Sequence, residues 1–390
     1  MYTNTRFSDI LKGLSRRAFH QVVDKCEGDK YNKGFRCWDH FVVMLYAQLS
    51  GCKSLRELES GFNSNRLYHY HIGCREVKRS TLSDANKKRD AGVFSQLCEQ
   101  LMQTLHAKLK GEMKDLLYLL DSTPISLKGL GYEWAEENAN HRTCGLKVHM
   151  LYAPEIGMPS QIDITHPKVG DLDHGKRILL EKGATYVFDK GYYDYNWWFK
   201  MHQEGVYFVT RLKRNAGVRI TKSERISEEE AARGIMEDNV IEFKNQRPGG
   251  GRINHYYGTK LRRVVAFRED NKPIVIVTND FSRPASEIAG LYKKRWGIEL
   301  FFKWLKQNLK IKRFLGRSEN AVKIQIYTAL IGYLLAYLNY RRDRISTNLQ
   351  LWLVEIRVGL FQRPQTERLI EQKRRREHEE LRRRQGQLAL

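Results

Sequence analysis

The sequence predicts a mixed α/β protein with a helical N-terminal region, and three observations carry that prediction. Apolar residues recur at helical spacing up to about residue 90. Short apolar runs bounded by turn residues then dominate from about 115 to 280. Two longer helical patterns cover roughly 285–312 and 318–341. With 390 residues the chain can build a sizeable core and two or three domains.

Taken in order, Ile10, Leu11 and Leu14 open one helical pattern. Phe41, Val42, Leu45 and Leu49 make another, which Ser50-Gly51 ends. Ser54-Leu55-Arg56-Glu57 fits a capping box opening the next helix. With Arg56, Arg66, Arg75, Lys78 and Arg79 on its surface, the 1–90 region suits a helix-turn-helix-like DNA-binding module; a generic helical bundle fits equally well.

The pattern then turns to strands. Leu116 to Leu120 is an apolar run, Gly145 to Tyr152 alternates, Gln161 to Thr165 follows, and Tyr186-Val187-Phe188 reads as a buried strand preceded by a short helix at Ile178, Leu179 and Leu180. This alternation over 110–211 is that of a mixed α/β layer. Residues 212–272 form a strand-rich segment between Val206–Arg211 and Ile274–Thr278, with candidates at Val240–Phe243 and Leu261–Phe267 and a turn at Gly249-Gly250-Gly251. Residues 273–345 begin with the Ile274–Thr278 strand and then return to helices, and 346–390 form a basic tail that past Arg363 reads as a solvated helix. Ile324 to Tyr340 approaches the length of a membrane span, but Gln325, Thr328 and Asn339 interrupt it, and it reads as a buried helix.

Lysine and arginine number 68 against 45 acids, a formal charge of +23, which favours a polyanionic partner. Twenty tyrosines, sixteen phenylalanines and seven tryptophans argue for a folded protein rather than a basic tail. The cysteines Cys26, Cys37, Cys52, Cys74, Cys98 and Cys144 form no C-x-x-C pair and read as reduced, and the polar start Met1-Tyr2-Thr3-Asn4 lacks a signal-peptide core; both point to the cytoplasm. There is no P-loop, G-x-G-x-x-G turn or H-E-x-x-H helix, which removes the common nucleotide-driven and zinc-peptidase readings.

The chemistry-bearing residues lie at element ends. Asp121 follows the run Leu116–Leu120 and leads into Ser122-Thr123-Pro124, as though a buried strand ended in a turn; Asp189 follows Tyr186-Val187-Phe188 in the same way. Two aspartates on neighbouring strands could grip Mg²⁺ through hard oxygen ligands, although either alone would serve as a turn or cap residue. Tyr292, Arg295, Glu299 and Lys306 follow the pattern Y-x2-R-x3-E-x6-K. On a continuous helix at about 100° per residue they share an arc of roughly 60°, beside an apolar stripe of Ile288, Leu291, Ile298, Phe302, Leu305 and Leu309. Glu299 is the single acid among nine basic residues between 291 and 317. A lone carboxylate there is either a salt-bridge partner or a metal ligand beside phosphate-binding cations. Three carboxylates can hold two metal ions about 4 Å apart, the arrangement that stabilises attacking and leaving oxygens in phosphodiester displacement. Arg211, Lys213 and Arg214 read as DNA-backbone contacts or as an exposed basic loop. Asp163, Asp171, Asp173 and Asp194 could replace Asp189 but fit turn or cap roles better, and His149, His166 and His174 show no metal-ligand spacing.

Together these residues resemble the insertion-sequence-four family of DDE transposases, from about Phe35 to about Tyr340. The resemblance implies an RNase H-like core, with Asp121, Asp189 (within Asp-Lys-Gly-Tyr) and Glu299 as catalytic residues and ligands of two Mg²⁺ (or Mn²⁺) ions. It implies that Tyr292, Arg295 and Lys306 contact transposon-end phosphates and that Trp296 stacks on an unpaired base, ordinary packing being the alternative for Trp296. The 109 residues between Asp189 and Glu299 match the family's strand-rich insertion. The family further implies double-stranded DNA as partner, end cleavage that frees a 3′-hydroxyl, second-strand cleavage often through a hairpin, strand transfer into target DNA, and a homodimer on DNA. Neither a nucleotide cofactor nor a membrane is expected. The rivals are a DNA-binding regulator retaining the fold without cleavage, a tyrosine recombinase, and an RNA-associated basic protein.

Overall fold

The computed structural model describes residues 4–32, 34–137, 144–267, 272–308, 314–343 and 348–364. The chain divides into two compact units, one of Met1–Leu101 with Lys306–Leu390, the other Met102–Leu305.

The N-terminal part comprises helices α1 (Arg6–Leu11), α2 (Arg16–Lys25), α3 (Cys37–Ser50), α4 (Leu55–Asn63), α5 (His69–Ile72), α6 (Arg79–Lys88) and α7 (Gly92–Leu109). Local chemistry sets their ends. The Thr5, Ser15 and Ser54 hydroxyls each accept the backbone N–H three residues on, and α3 stops where Gly51 turns left-handed at φ 75°. The capping box expected at Ser54 is half realised: Ser54 Oγ accepts Glu57 N–H at 3.1 Å, but the Glu57 carboxylate reaches one residue further back and accepts Lys53 N–H at 2.7 Å. Arg56, Arg66, Arg75, Lys78 and Arg79 are exposed.

The second unit is built on one mixed sheet. Its elements are β1 (Leu117–Ser126), β2 (Glu136–Glu137), β3 (Cys144–Ala153), β4 (Met158–Thr165), α8 (Asp171–Gly175), β5 (Thr185–Phe188), α9 (Tyr195–Gln203), β6 (Tyr207–Arg211), β7 (Val218–Ser223), α10 (Glu228–Ala232), β8 (Ile235–Phe243), β9 (Leu261–Phe267), β10 (Pro273–Thr278), α11 (Ala285–Lys294) and α12 (Trp296–Asn308). The strand order is β2-β3-β1-β5-β6-β10-β9-β8-β7, with β4 also on β3. β1 runs antiparallel to β3 and parallel to β5, which is parallel to β6; this β4-β3-β1-β5-β6 portion is the RNase H-like arrangement. The strand-rich segment adds β7 to β9 to the same sheet through β10, which pairs antiparallel with both β6 and β9.

Four sequence expectations need correction. β1 does not end before Asp121 but runs on through Ser126, because β3 pairs with it from Leu119 to Ser126. Pro124 is tolerated there because pairing with β5 stops at Leu120, leaving a flank on which a missing N–H breaks no ladder. β3 is buried over much of its length rather than alternating, since helix α12 covers it through Phe301 against Tyr152 and His174 of α8 stacks on His149. Ile178 to Leu180 are irregular, with Leu179 exposed; the helix lies earlier, at α8, where two acids occupy the first turn. The long helix expected over 285–312 is interrupted at Arg295, whose N–H bonds to Tyr292 O in a three-residue turn. Of the apolar stripe, Ile288, Leu291, Ile298, Phe302 and Leu305 are buried; Leu309 lies outside the described residues.

In the first unit, α13 (Glu319–Arg342) and α14 (Leu349–Val358) pack on α3. Phe41 to Leu45 and the α13 residues Ile324, Ile326, Ala329 to Ile331 and Leu334 to Ala336 are shut off from solvent. Gly332 permits the close crossing: a Cβ there would lie 3.2 Å from Leu45 Cδ1. The polar residues that interrupt α13 are satisfied internally. Gln325 Oε1 accepts Leu315 N–H at 2.8 Å, Thr328 donates to Ile324 O at 2.7 Å, and Asn339 donates to Asp9 at 3.2 Å. This apolar helix is therefore a core element, 83% buried over its most hydrophobic window. The six cysteines are free thiols, and the tail expected as a solvated helix lies outside the described residues past residue 364.

Candidate active site

The site forms where β1 and β5 part company. Their parallel register ends at Leu120 opposite Phe188, so the next residue on each, Asp121 and Asp189, stands at the same edge of strands about 4.8 Å apart. Asp121 Oδ1 accepts the Ser122 N–H at 2.8 Å. Asp189 caps the 3₁₀ turn Lys190–Tyr192, its Oδ1 accepting the Gly191 N–H at 2.7 Å.

The third acid arrives on α12, which packs close to β1: a Cβ on Gly297 would be 3.7 Å from Leu119 Cδ1. Arg295, at the break between α11 and α12, puts Nη1 2.6 Å from Glu299 Oε1 and 3.9 Å from Asp121 Oδ2. One guanidinium nitrogen is thus flanked by two of the three carboxylates. Burial pushes the Asp121 carboxyl up to about 7; Asp189 and Glu299 push the same way, while the Ser122 N–H and Arg295 oppose them. Asp121, Asp189 and Glu299 therefore share one electrostatic neighbourhood.

Two buried polar atoms at this site lack a hydrogen-bond partner: Arg295 Nε and Tyr192 Oη. Burial raises the Tyr192 phenol well above its usual range, with Asp171, Asp121 and Asp189 adding to the effect, so its hydroxyl stands near the acids. Among the described residues no three His, Cys, Asp or Glu side chains form a ready-made metal-ligand set, Glu299 being held by Arg295. The donor chemistry nonetheless suits a hard divalent cation: all three candidate groups are carboxylates, and burial, with the charges of Asp189 and Glu299 adding to it, disfavours the ionised form of Asp121, a cost that a bound cation would offset.

Of the other expected site residues, Tyr292 lies beside Arg295, whose Cζ is 5.7 Å from the ring centre; Arg211 and Asp189 also influence its phenol, which burial raises. Trp296 is 57% exposed at the start of α12, and Lys306 lies about two turns beyond Glu299 on that helix. Arg211 ends β6, and Lys213 stacks its ammonium 4.2 Å over the Tyr193 ring. Lys190 joins them, its ammonium pKa lowered first by burial and then by Arg211, Arg214 and Lys213, so four cations gather on the β5–β6 side of the acids. Nothing in the sequence singled out Lys190 except its place in Asp-Lys-Gly-Tyr.

The remaining acids divide. Asp194 caps α9 through the Trp197 N–H and pairs with Lys176 at 2.7 Å; Asp163 pairs with His174 at 2.7 Å. Asp171, for which the sequence favoured a turn or cap role over replacement of Asp189, lies in the first turn of α8 and also reaches the residue next to Asp121: its Oδ1 accepts the Ser122 hydroxyl at 2.6 Å. Its partner lies 49 residues away, so no local pattern could reveal it. His149 and His174 are buried and stacked, ring centres 4.1 Å apart.

A basic mixed-sheet protein with two carboxylates at one sheet edge, a third on the adjoining helix and a cluster of cations beside them has the make-up of a polyanion-processing protein. Residues 112–335 match the family model described as the transposase DDE domain, and the chain belongs to that family. Residues 2–75 match a second family model, described only as a domain of unknown function (DUF4372). Relatives place the chain among the transposases of insertion sequences. It is 39% identical over 266 residues to y4zB of Sinorhizobium fredii, named as a transposase, covering 68% of this chain and 72% of that one. It is 27% identical over 361 residues to the Geobacillus stearothermophilus protein named as transposase for insertion sequence element IS5377, covering 90% and 89% respectively. Among solved structures it is similar to a chain of the piggyBac transposase synaptic complex with hairpin DNA, with a TM-score of 0.48 and 10% identity, covering 90% of this chain and 79% of that one.

Proposed function

We propose that this transposase cleaves double-stranded DNA at the ends of its element and joins the freed 3′-hydroxyls to target DNA, with Asp121, Asp189 and Glu299 as the catalytic acids. The observation that carries the reading is that Arg295 lies between Glu299 and Asp121, while Asp189 stands near Asp121 on the neighbouring strand. These three carboxylates would hold Mg²⁺ or Mn²⁺, two ions per site. When bound, the ions neutralise phosphate charge and lower the pKa of an attacking hydroxyl.

The chain's own residues supply the rest. Arg295, Tyr292 and Lys306 hold phosphates of the element end, and Arg211 and Lys213, with Lys190 beside them, steady the adjoining backbone. The orphaned Arg295 Nε and Tyr192 hydroxyl are donors awaiting an acceptor, which a phosphate oxygen provides. Trp296, exposed beside Glu299, stacks on a base taken out of the duplex. Water is the first nucleophile and the released 3′-hydroxyl the second, each displacing in line, so no covalent protein intermediate and no nucleotide cofactor is needed. The exposed cations of the 1–90 region bind the terminal repeats as a DNA-binding domain. Residues 110–211 and 273–345 form the catalytic core around the 212–272 insertion, and 346–390 are a basic tail. The protein acts in the cytoplasm as a homodimer that pairs two ends.

The test is nicking of a duplex carrying the element's end. Wild-type chain nicks only with Mg²⁺ or Mn²⁺ present, and Glu299→Gln binds the duplex without nicking it. Metal-independent cleavage through a phosphotyrosyl adduct overturns the proposal.

A further inference from the structure

We infer that Asp171 is a positioning residue that sets the separation of the two strand-edge acids, being bonded to β1 just after Asp121 and to β3 while packing against the turn that follows Asp189. This rests on the reading of Asp121 and Asp189 as metal ligands. One oxygen of Asp171 accepts the hydroxyl of Ser122, the residue after Asp121 on β1, and the ammonium of Lys147 on β3 at 3.3 Å. Lys147 is itself fixed, donating to Val169 O at 2.8 Å and sitting opposite Pro124 in the β1–β3 register. The second Asp171 oxygen lies against the turn after β5: a Cβ on Gly191 would meet it at 3.3 Å, next to Asp189 Oδ1 at 2.9 Å.

The tie matters because of where it falls. β1 loses its β5 partner after Leu120, so from Asp121 onward no ladder bond holds β1 to the segment carrying Asp189. Successive side chains on a strand face opposite ways, so Ser122 can be anchored to Asp171 while Asp121 points towards Arg295 and Glu299. Asp171 is backed in turn by a buried polar stack. His149 Nδ1 stands 3.8 Å from it, His149 stacks on His174, His149 is hydrogen-bonded to Thr165 at 3.0 Å, and His174 to Asp163 at 2.7 Å. An acid needed only to start the short helix α8 would require none of these partners.

Groups that orient metal ligands typically change affinity about 10- to 100-fold when removed. The experiment is Mn²⁺ binding to the full chain, followed by the electron paramagnetic resonance of free Mn²⁺, alongside nicking of end DNA. Asp171→Ala and Ser122→Ala are each expected to weaken Mn²⁺ binding about tenfold, and the double variant no further, because both remove the same bond. Asp171→Asn keeps an acceptor for Ser122 and should recover most of the affinity; it also serves if the alanine variant fails to fold. Wild-type Mn²⁺ affinity in Ser122→Ala and Asp171→Asn together with Asp171→Ala, or additive losses in the double variant, overturns this role while leaving the three-acid site intact. Unchanged Mn²⁺ binding and nicking in Asp121→Asn overturns the site itself.

Discussion

Replacing Gly191 with alanine tests how tightly the second acid is held. The glycine is exposed and its backbone is not left-handed, so alanine adds no backbone strain, and the cost to thermal stability is at most that of the one Asp189 hydrogen bond it displaces. The new methyl, however, stands 2.9 Å from Asp189 Oδ1, inside van der Waals contact, with Asp171 Oδ2 closing the other side at 3.3 Å. The Asp189 carboxylate must swing away, giving up the 2.7 Å bond from the Gly191 N–H. A hydrogen bond to a charged group contributes about 1.5–3 kcal/mol. At about 1.4 kcal/mol per factor of ten, that is a loss of roughly 10- to 150-fold in nicking rate. The assay is Mg²⁺-dependent nicking of an end-bearing duplex at fixed enzyme, with melting temperature and duplex affinity measured on the same preparation. A folded, DNA-binding Gly191→Ala chain that nicks at the wild-type rate would refute the placement of Asp189 in the chemistry.

Trp296→Ala should leave the melting temperature nearly unchanged, since the ring is more than half exposed, but lower the step that needs an unstacked base by the roughly 1–3 kcal/mol of a base–aromatic stack, read as single-turnover rate on intact versus abasic end DNA. Asp238→Ala strips the buried two-point pair with Arg262, whose bonds are 2.9 and 2.7 Å, and should cost about 3 kcal/mol in urea unfolding because the buried guanidinium loses its carboxylate and keeps only the Asp280 and Arg283 carbonyls. Burial holds the His40 imidazole down to about 3, with Arg89 adding to the effect and Asn86 opposing it. Between that value and the unfolded 6.5 the unfolded chain binds more protons, so the stability from neutral His40 is complete above about pH 6.5 and drains away as pH falls towards 3. A His40→Gln variant should therefore show a flatter fall in urea midpoint between pH 6.5 and 4 than wild type; parallel slopes would refute this.

Much of the fold was legible because its signals are local. The helix cap at Ser54, the glycine stop at Gly51, the strand Leu261–Phe267 and the buried helix around Leu330 each follow from a few adjacent residues. Most of the errors trace to a partner far along the chain, the helix expected at Ile178 to Leu180 being the exception. Ser122-Thr123-Pro124 has the composition of a turn, yet β3 captures it as strand, a pairing invisible without the sheet. The Tyr292, Arg295 and Glu299 spacing suggested one smooth helical face, and the tightened turn at Arg295 appears only where the chain must seat α12 against β1. Among the acids, Asp189 announced itself by ending an apolar run, whereas the involvement of Asp171 depends on Ser122 and Lys147 from two other strands.

The pairing of β6 with β10 gives the molecule a fixed gate for a variable detour. Arg211 faces Ile276 across that ladder, so the chain departs from β6 and returns in β10 at neighbouring points however long the excursion through β7, β8 and β9 between them. Lengthening or trimming the loops of that excursion would leave the route from β10 into α11 and α12 unaltered, and Glu299 would still be delivered to the same spot.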